Sequence, residues 1–162
     1  MPVYADGSVG GNFIVDDTPP PDITPPATVS NLAVVGVSSY SIKLKWTAPG
    51  NDGNSGTAAI YDIRFSTTPI TNEMQWINSN LVYVVPGPKP SGSTETLTVN
   101  GLLPLTTYYF ALKTADEAYN WSGLSNYIET KTTVAYLEWE EDDDEEESNP
   151  DIVEPTKGEF RP

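Results

Sequence analysis

Leu103-Pro104-Leu105-Thr106-Thr107-Tyr108-Tyr109-Phe110-Ala111-Leu112-Lys113-Thr114-Ala115-Asp116 is the stretch whose reading decides the fold. Tyr108, Phe110 and Leu112 alternate with Tyr109, Ala111 and Lys113, which is the period of a strand with one buried face. The residues before it, Leu103 to Thr107, read as a tight corner.

Working outward, the same period recurs. Leu32 and Val34 mark a first strand. Ile42, Leu44 and Trp46 alternate with Lys43, Lys45 and Thr47, a half-buried strand with a polar outer face. Pro49, Gly50, Gly53 and Gly56 then make a loop of Ala48 to Thr57. Tyr61, Ile63 and Phe65 alternate with Asp62 and Arg64, and Leu97 and Val99 lie between Thr96, Thr98 and Asn100. Tyr127 to Thr132 closes the sheet. Between Thr67 and Ser93, Thr71 is expected to cap one helical turn that ends near Trp76. Leu81 to Val85 reads as a short strand stopped by Pro86, Pro88 and Pro90. Val134 to Trp139 reads as an extension of the last strand. The pattern predicts an all-β, seven-stranded sandwich with extended N- and C-terminal tails.

Charge separates the same regions. The net charge of −15 is made of −4 in residues 1–26, −1 in 27–137 and −10 in 138–162. Three segments follow: a Gly- and Pro-rich extended leader (1–26), the sandwich (27–133) and an acidic C-terminal tail (134–162). Glu138 to Glu147 carries nine acids in ten positions, a run that repels itself. With the acidity in the tails and no basic patch, nucleic acid is not an expected partner. No run is apolar for long enough to cross a bilayer, so no membrane insertion is expected. Met1 to Asp6 has neither the basic nor the apolar part of a signal peptide. The chain has no Cys and no His, which removes disulfides, thiolate chemistry, His-ligated metals and Ser-His-Asp catalysis. Asp116 and Glu117 are adjacent, so on a strand they face opposite sides and do not form the carboxylate pair of a glycosidase. The sequence reads as non-enzymatic.

Residues 27–133 resemble fibronectin type III modules. Trp46 stands where that family places its second-strand Trp, Tyr61 where it places its third-strand Tyr, and Leu103 with Tyr108 where it has its tyrosine corner. The likeness is closest to modules of secreted bacterial and archaeal proteins. It is carried by Trp46-Thr47-Ala48-Pro49-Gly50-Asn51-Asp52-Gly53, Tyr61-Asp62-Ile63-Arg64-Phe65-Ser66 and Ala115-Asp116-Glu117-Ala118-Tyr119-Asn120-Trp121-Ser122. The resemblance implies an immunoglobulin-like sandwich, an extracellular or cell-surface setting, and a Tyr108 hydroxyl that donates to the corner backbone.

Three candidate sites remain. Asp52 and Asn54 in one loop, with Asp116, Glu117 and Asn120 in another, emerge at the same end of such a sandwich. Their oxygens are of the type Ca²⁺ takes, and the same residues also serve ordinary turns. Apart from Ca²⁺ no cofactor is expected. Trp76, Tyr119 and Trp121 would make a platform for carbohydrate if all three were exposed, and core packing is the competing role. Phe13, Ile14, Val15, Trp139, Ile152, Val153 and Phe160 are apolar anchors in the tails, placed to pack on other protein chains, copies of this one foremost, or on the sandwich's own edge. The sequence therefore points to a non-catalytic extracellular structural or interaction module, a subunit of a surface filament or assembly joined through its tails. The alternative is a carbohydrate- or protein-binding accessory module of a larger secreted enzyme.

Overall fold

The computed structural model describes residues 18–136. β1 (Ala33–Val37), β2 (Ser41–Thr47) and β5 (Thr94–Asn100) form one antiparallel sheet in the order β1-β2-β5. β3 (Ile60–Ser66), β4 (Asn80–Leu81), β6 (Thr107–Ala115) and β7 (Ile128–Lys131) form the other, in the order β4-β3-β6-β7. One short helix, α1 (Glu73–Ile77), joins β3 to β4. The described residues make the seven-stranded all-β sandwich that the alternation predicts.

The alternation becomes the core directly. Ile42, Leu44 and Trp46 are buried while Lys43, Lys45 and Thr47 face solvent. Tyr61 and Ile63 of β3 and Tyr108, Phe110 and Leu112 of β6 meet them from the other sheet. The Trp46 and Tyr61 rings pack edge to face, with centroids 5.2 Å apart and planes at 88°. Trp46 Nε1 and the Tyr61 hydroxyl are both buried outside hydrogen-bonding geometry. Burial pushes the Tyr61 hydroxyl up to about 12; the Trp46 indole opposes this and the Glu95 carboxylate adds to it.

The corner is tied by two side chains. The Leu103 N–H donates to the Tyr108 hydroxyl oxygen at 3.0 Å. This reverses the expected direction: the corner offers an unpaired N–H, so the phenol accepts. Thr132 Oγ1 donates to the Leu103 carbonyl at 2.6 Å and accepts the Thr106 N–H at 2.9 Å. Leu105 stands at the tip with φ +53° and is exposed.

Other differences from the sequence reading have local causes. Asn72, not Thr71, caps α1, its Oδ1 accepting the Gln75 N–H at 3.0 Å. The Gln75 side chain reaches back to the Thr71 N–H at 2.7 Å, so the motif is a capping box displaced by one residue. β4 has two residues rather than five, and Tyr83 and Val84 stand exposed beyond it. β7 begins only at Ile128 because serine hydroxyls stand in for strand pairing ahead of it. Ser122 Oγ accepts the Thr114 N–H at 3.0 Å and Ser125 Oγ accepts the Leu112 N–H at 2.9 Å. Val134 to Tyr136 are not a strand, and residues 137–139 lie outside the described range.

Trp46→Ala should lower the unfolding free energy by about 3–5 kcal/mol, the usual cost of truncating a large core aromatic. An unchanged denaturant midpoint would contradict the placement of that ring. Leu105→Gly should do the opposite. A left-handed conformation costs an L-residue about 1–2 kcal/mol, and glycine's extra chain entropy returns about half of that. The expected gain is about 0.5–1 kcal/mol by denaturant titration.

Candidate functional site

One pole of the sandwich gathers the 48–59 loop between β2 and β3, the 116–127 loop between β6 and β7, and the leader. The first loop is tight: the Gly50 N–H donates to the Gly53 carbonyl at 2.8 Å and the Asn51 N–H to the Ser55 carbonyl at 2.6 Å. A Cβ on Gly50 would lie 2.2 Å from the Ser55 backbone, so only glycine permits this approach. The leader then docks on the loop. The Gly53 N–H donates to the Pro25 carbonyl at 3.0 Å, and the Ala27 N–H returns to the Gly53 carbonyl at 2.9 Å. The Asn120 amide donates to the Asp22 carbonyl at 3.1 Å, which ties the leader to the second loop as well.

Asp116 anchors that second loop. It is fully buried and accepts the Asn120 N–H at 2.8 Å and the Asn120 amide at 2.9 Å. The chain turns back between them at Tyr119, which has φ +63° and is exposed. Carboxylate oxygens of Asp22, Asp116 and Glu117 lie within 4.8 Å of one another. Asp52 faces the same group. Partial loss of solvent raises its carboxyl above the ordinary carboxylate value, and the charges of Asp22, Glu117 and Asp116 raise it further. Among the described residues no basic side chain is ion-paired to any of the four: Arg64, Lys113 and Lys89 bind Asp62, Glu73 and Glu95 instead.

Of the residues read from the sequence as Ca²⁺ ligands, the structure brings Asp52, Asp116, Glu117 and Asn120 to this pole. Asn54 is exposed and lines a shallow cleft with residues 27–31 and 47–49. Asp22 joins the cluster unannounced, because only the docking of the leader places it there. The three-ring platform does not form. Trp76 is buried against Ile70 and Ala111, with the Arg64 guanidinium 4.8 Å and the Lys113 ammonium 5.5 Å from its ring centre. Tyr119 and Trp121 alone remain exposed beside the acidic loop. The tail anchors Phe13, Ile14, Val15, Trp139, Ile152, Val153 and Phe160 lie outside the described residues.

The opposite pole carries the corner and the chain's exit. The Thr133 N–H donates to the Ser38 carbonyl at 3.1 Å, and Ser39 Oγ donates to the Val134 carbonyl. The two ends of the described chain thus leave at opposite poles.

The family model described as Fibronectin type III domain matches residues 25–131. The chain belongs to the fibronectin type III family. Among its relatives, human Calcium-activated chloride channel regulator 1 is 35% identical over 96 residues, covering 54% of this chain and 10% of that protein. Mouse Calcium-activated chloride channel regulator 3A-1 is 33% identical over 130 residues, covering 72% of this chain and 14% of that protein. The chain thus spans about a tenth to a seventh of the length of these relatives. Among solved structures, a fibronectin type III domain derived from human KIAA0970 protein covers 82% of this chain and 87% of its own, at 16% identity and TM-score 0.49. Domains A168–A170 of titin cover 67% of this chain and 32% of their own, at 25% identity and TM-score 0.48. No described helix is long and apolar enough to cross a membrane.

A carboxyl raised on folding holds its proton more tightly in the folded state. Asp52 therefore favours folding at low pH, and that contribution is lost as pH rises through its titration. Asp52→Asn should melt at a higher temperature than the parent at pH 7, with the gap closing at pH 3. A gap of the same size at both pH values would separate Asp52 from the cluster.

Proposed function

We propose that this fibronectin type III module is a non-catalytic extracellular structural and interaction module that joins protein units in line, copies of itself foremost. The observation that carries this reading is that the chain is pinned at one pole through Asp22 and Pro25 and at the other through Thr133 and Val134. A module with opposed ends works as a spacer. β5 supports the joining role. It is an edge strand of seven residues with no Pro, Lys or bulge, in unbroken register with β2. The Lys89 ammonium takes only the Thr94 carbonyl at the start of the strand, at 2.9 Å, and an edge so little protected accepts another strand. Beside it, Phe65, Leu81, Val82 and Val99 line an open groove of about 390 Å³. The leader segment Asn12-Phe13-Ile14-Val15 is the strand proposed to fill that edge on a neighbouring copy. Light scattering of the full chain should give a mass well above 17.6 kDa. Deleting residues 1–17 should return a folded monomer. A monomer at every concentration would overturn the joining role.

A second reading is favoured by the convergence of Asp22, Asp52, Asp116 and Glu117 with no bonded base among the described residues: this pole takes Ca²⁺, an ion that six to eight oxygens satisfy. Binding to the folded state alone raises the melting temperature by mass action. Millimolar Ca²⁺ should raise that of the full chain, and the Asp22→Asn, Asp52→Asn, Glu117→Gln triple variant should lose the response. An unresponsive parent would dismiss the reading.

A further inference from the structure

The outer face of the three-stranded sheet carries an uncompensated positive charge. Lys43 and Lys45 of β2 point away from the core and are exposed. Cross-strand register sets Lys45 between Ala33 and Thr96, and Lys43 between Gly36 and Thr98. The three strands contain one acid, Glu95, and it is turned inward and buried. The ion-paired bases Arg64, Lys89 and Lys113 are spent elsewhere, so among the described residues neither Lys43 nor Lys45 has an acidic partner. On the β1 side of the lysines the face is apolar, with Ala33 exposed and Val35 half-exposed at the β1 irregularity, and on the β5 side it carries the exposed Thr96 and Thr98.

The chain leaves the sandwich at the end of this same sheet. Ser38 and Ser39, in the turn between β1 and β2, hold the backbone of Thr133 and Val134. Leu137-Glu138-Trp139-Glu140-Glu141-Asp142 begins three residues later. At roughly 3.3 Å per extended residue, Glu138 to Glu141 reach about 13–23 Å from Val134. Lys43 and Lys45 lie within that span, since Lys45 is four residues from the start of β2, about 13 Å. The segment also matches the face in kind, with Leu137 and Trp139 for Ala33 and Val35, and carboxylates for the lysines.

We propose that the proximal acidic tail, residues 137–147, docks on the outer face of its own three-stranded sheet, with its carboxylates on Lys43 and Lys45. The face is thus a binding surface for acidic peptide segments, and its resident ligand is the chain's own tail. Tethering raises the local concentration of the tail far above that of any free competitor. Exposed pairs of this kind are individually weak and screened by salt, so the contact is reversible. It covers a face of the sheet and leaves the β5 edge free, so it stands whether or not the chain assembles.

The chain has no cysteine, so a spin label on Ser148→Cys in the full-length protein is unique. In about 0.01 M salt, the amides of Lys43, Lys45, Thr96 and Thr98 should lose intensity when the label is paramagnetic. The intensity should return in about 1 M salt, where the screening length falls to about 3 Å. It should also return in the Lys43→Gln, Lys45→Gln variant, whose fold is checked by its unchanged core resonances. A mixture of isotope-labelled chains without the spin label and spin-labelled chains without isotope should show no loss. Loss in that mixture would assign the face to a second copy's tail and overturn the proposal. So would intensity unchanged at low salt, or loss confined to other faces.

Discussion

The edge-to-face contact of Trp46 with Tyr61 is the interaction on which the rest of this structure depends. It joins β2 of one sheet to β3 of the other, and the 48–59 loop springs from between these two strands. The same contact therefore closes the sandwich and fixes the base of the loop that holds Asp52 and receives the leader. Such ring pairs contribute about 0.5–1.5 kcal/mol beyond the area they bury. Two buried polar atoms oppose it, the indole Nε1 and the phenol oxygen. A third polar group is handled differently. Glu95 lies directly opposite Trp46 on β5, and the Lys89 backbone N–H at 2.7 Å and the Lys89 ammonium at 3.0 Å compensate its burial. Breaking such a pair from one side leaves a buried charge without a partner, so this end of the core tolerates little change.

Much of this was legible because a strand with one buried face has a period that no other element shares. Ile42, Leu44 and Trp46, or Tyr108, Phe110 and Leu112, announce their own burial. What stayed hidden depends on tertiary partners. Glu95 shares the inward register of Leu97 and Val99, and its charge is tolerated there because Lys89 is at hand. Trp76 offers a sugar platform only against the commoner role of such rings in packing, and the packing of α1 on Ile70 and Ala111 makes it core. Ser122 and Ser125 look like loop residues, yet their hydroxyls take over pairing along β6. Asp22 carries no local signal at all: only the docking of Pro25 on Gly53 brings it to the acidic pole. The family resemblance located the corner and left the direction of its hydrogen bond to the geometry.

The module separates its roles by position. One pole collects negative charge on backbone held by Gly50 and Asp116. The other carries the corner, a strained and exposed Leu105, and the exit of the chain. Between them lie the β5 edge and a sheet face whose two lysines have no acidic partner among the described residues. The β5 edge and the outer sheet face lie outside the packed core, whereas the corner is tied into it through Tyr108. The division works only if the two ends of the described chain are truly opposed.

That opposition can be measured directly. Ile23 and Tyr136 are both well exposed, and a chain without cysteine allows a spin label at each alone. β6 runs nine residues from the corner to the acidic loop, about 30 Å at the usual rise per residue. Electron–electron distance measurement on the Ile23→Cys, Tyr136→Cys protein should therefore give one narrow population at roughly 25–35 Å. A dominant population below about 15 Å would place both ends at one pole and contradict the in-line arrangement.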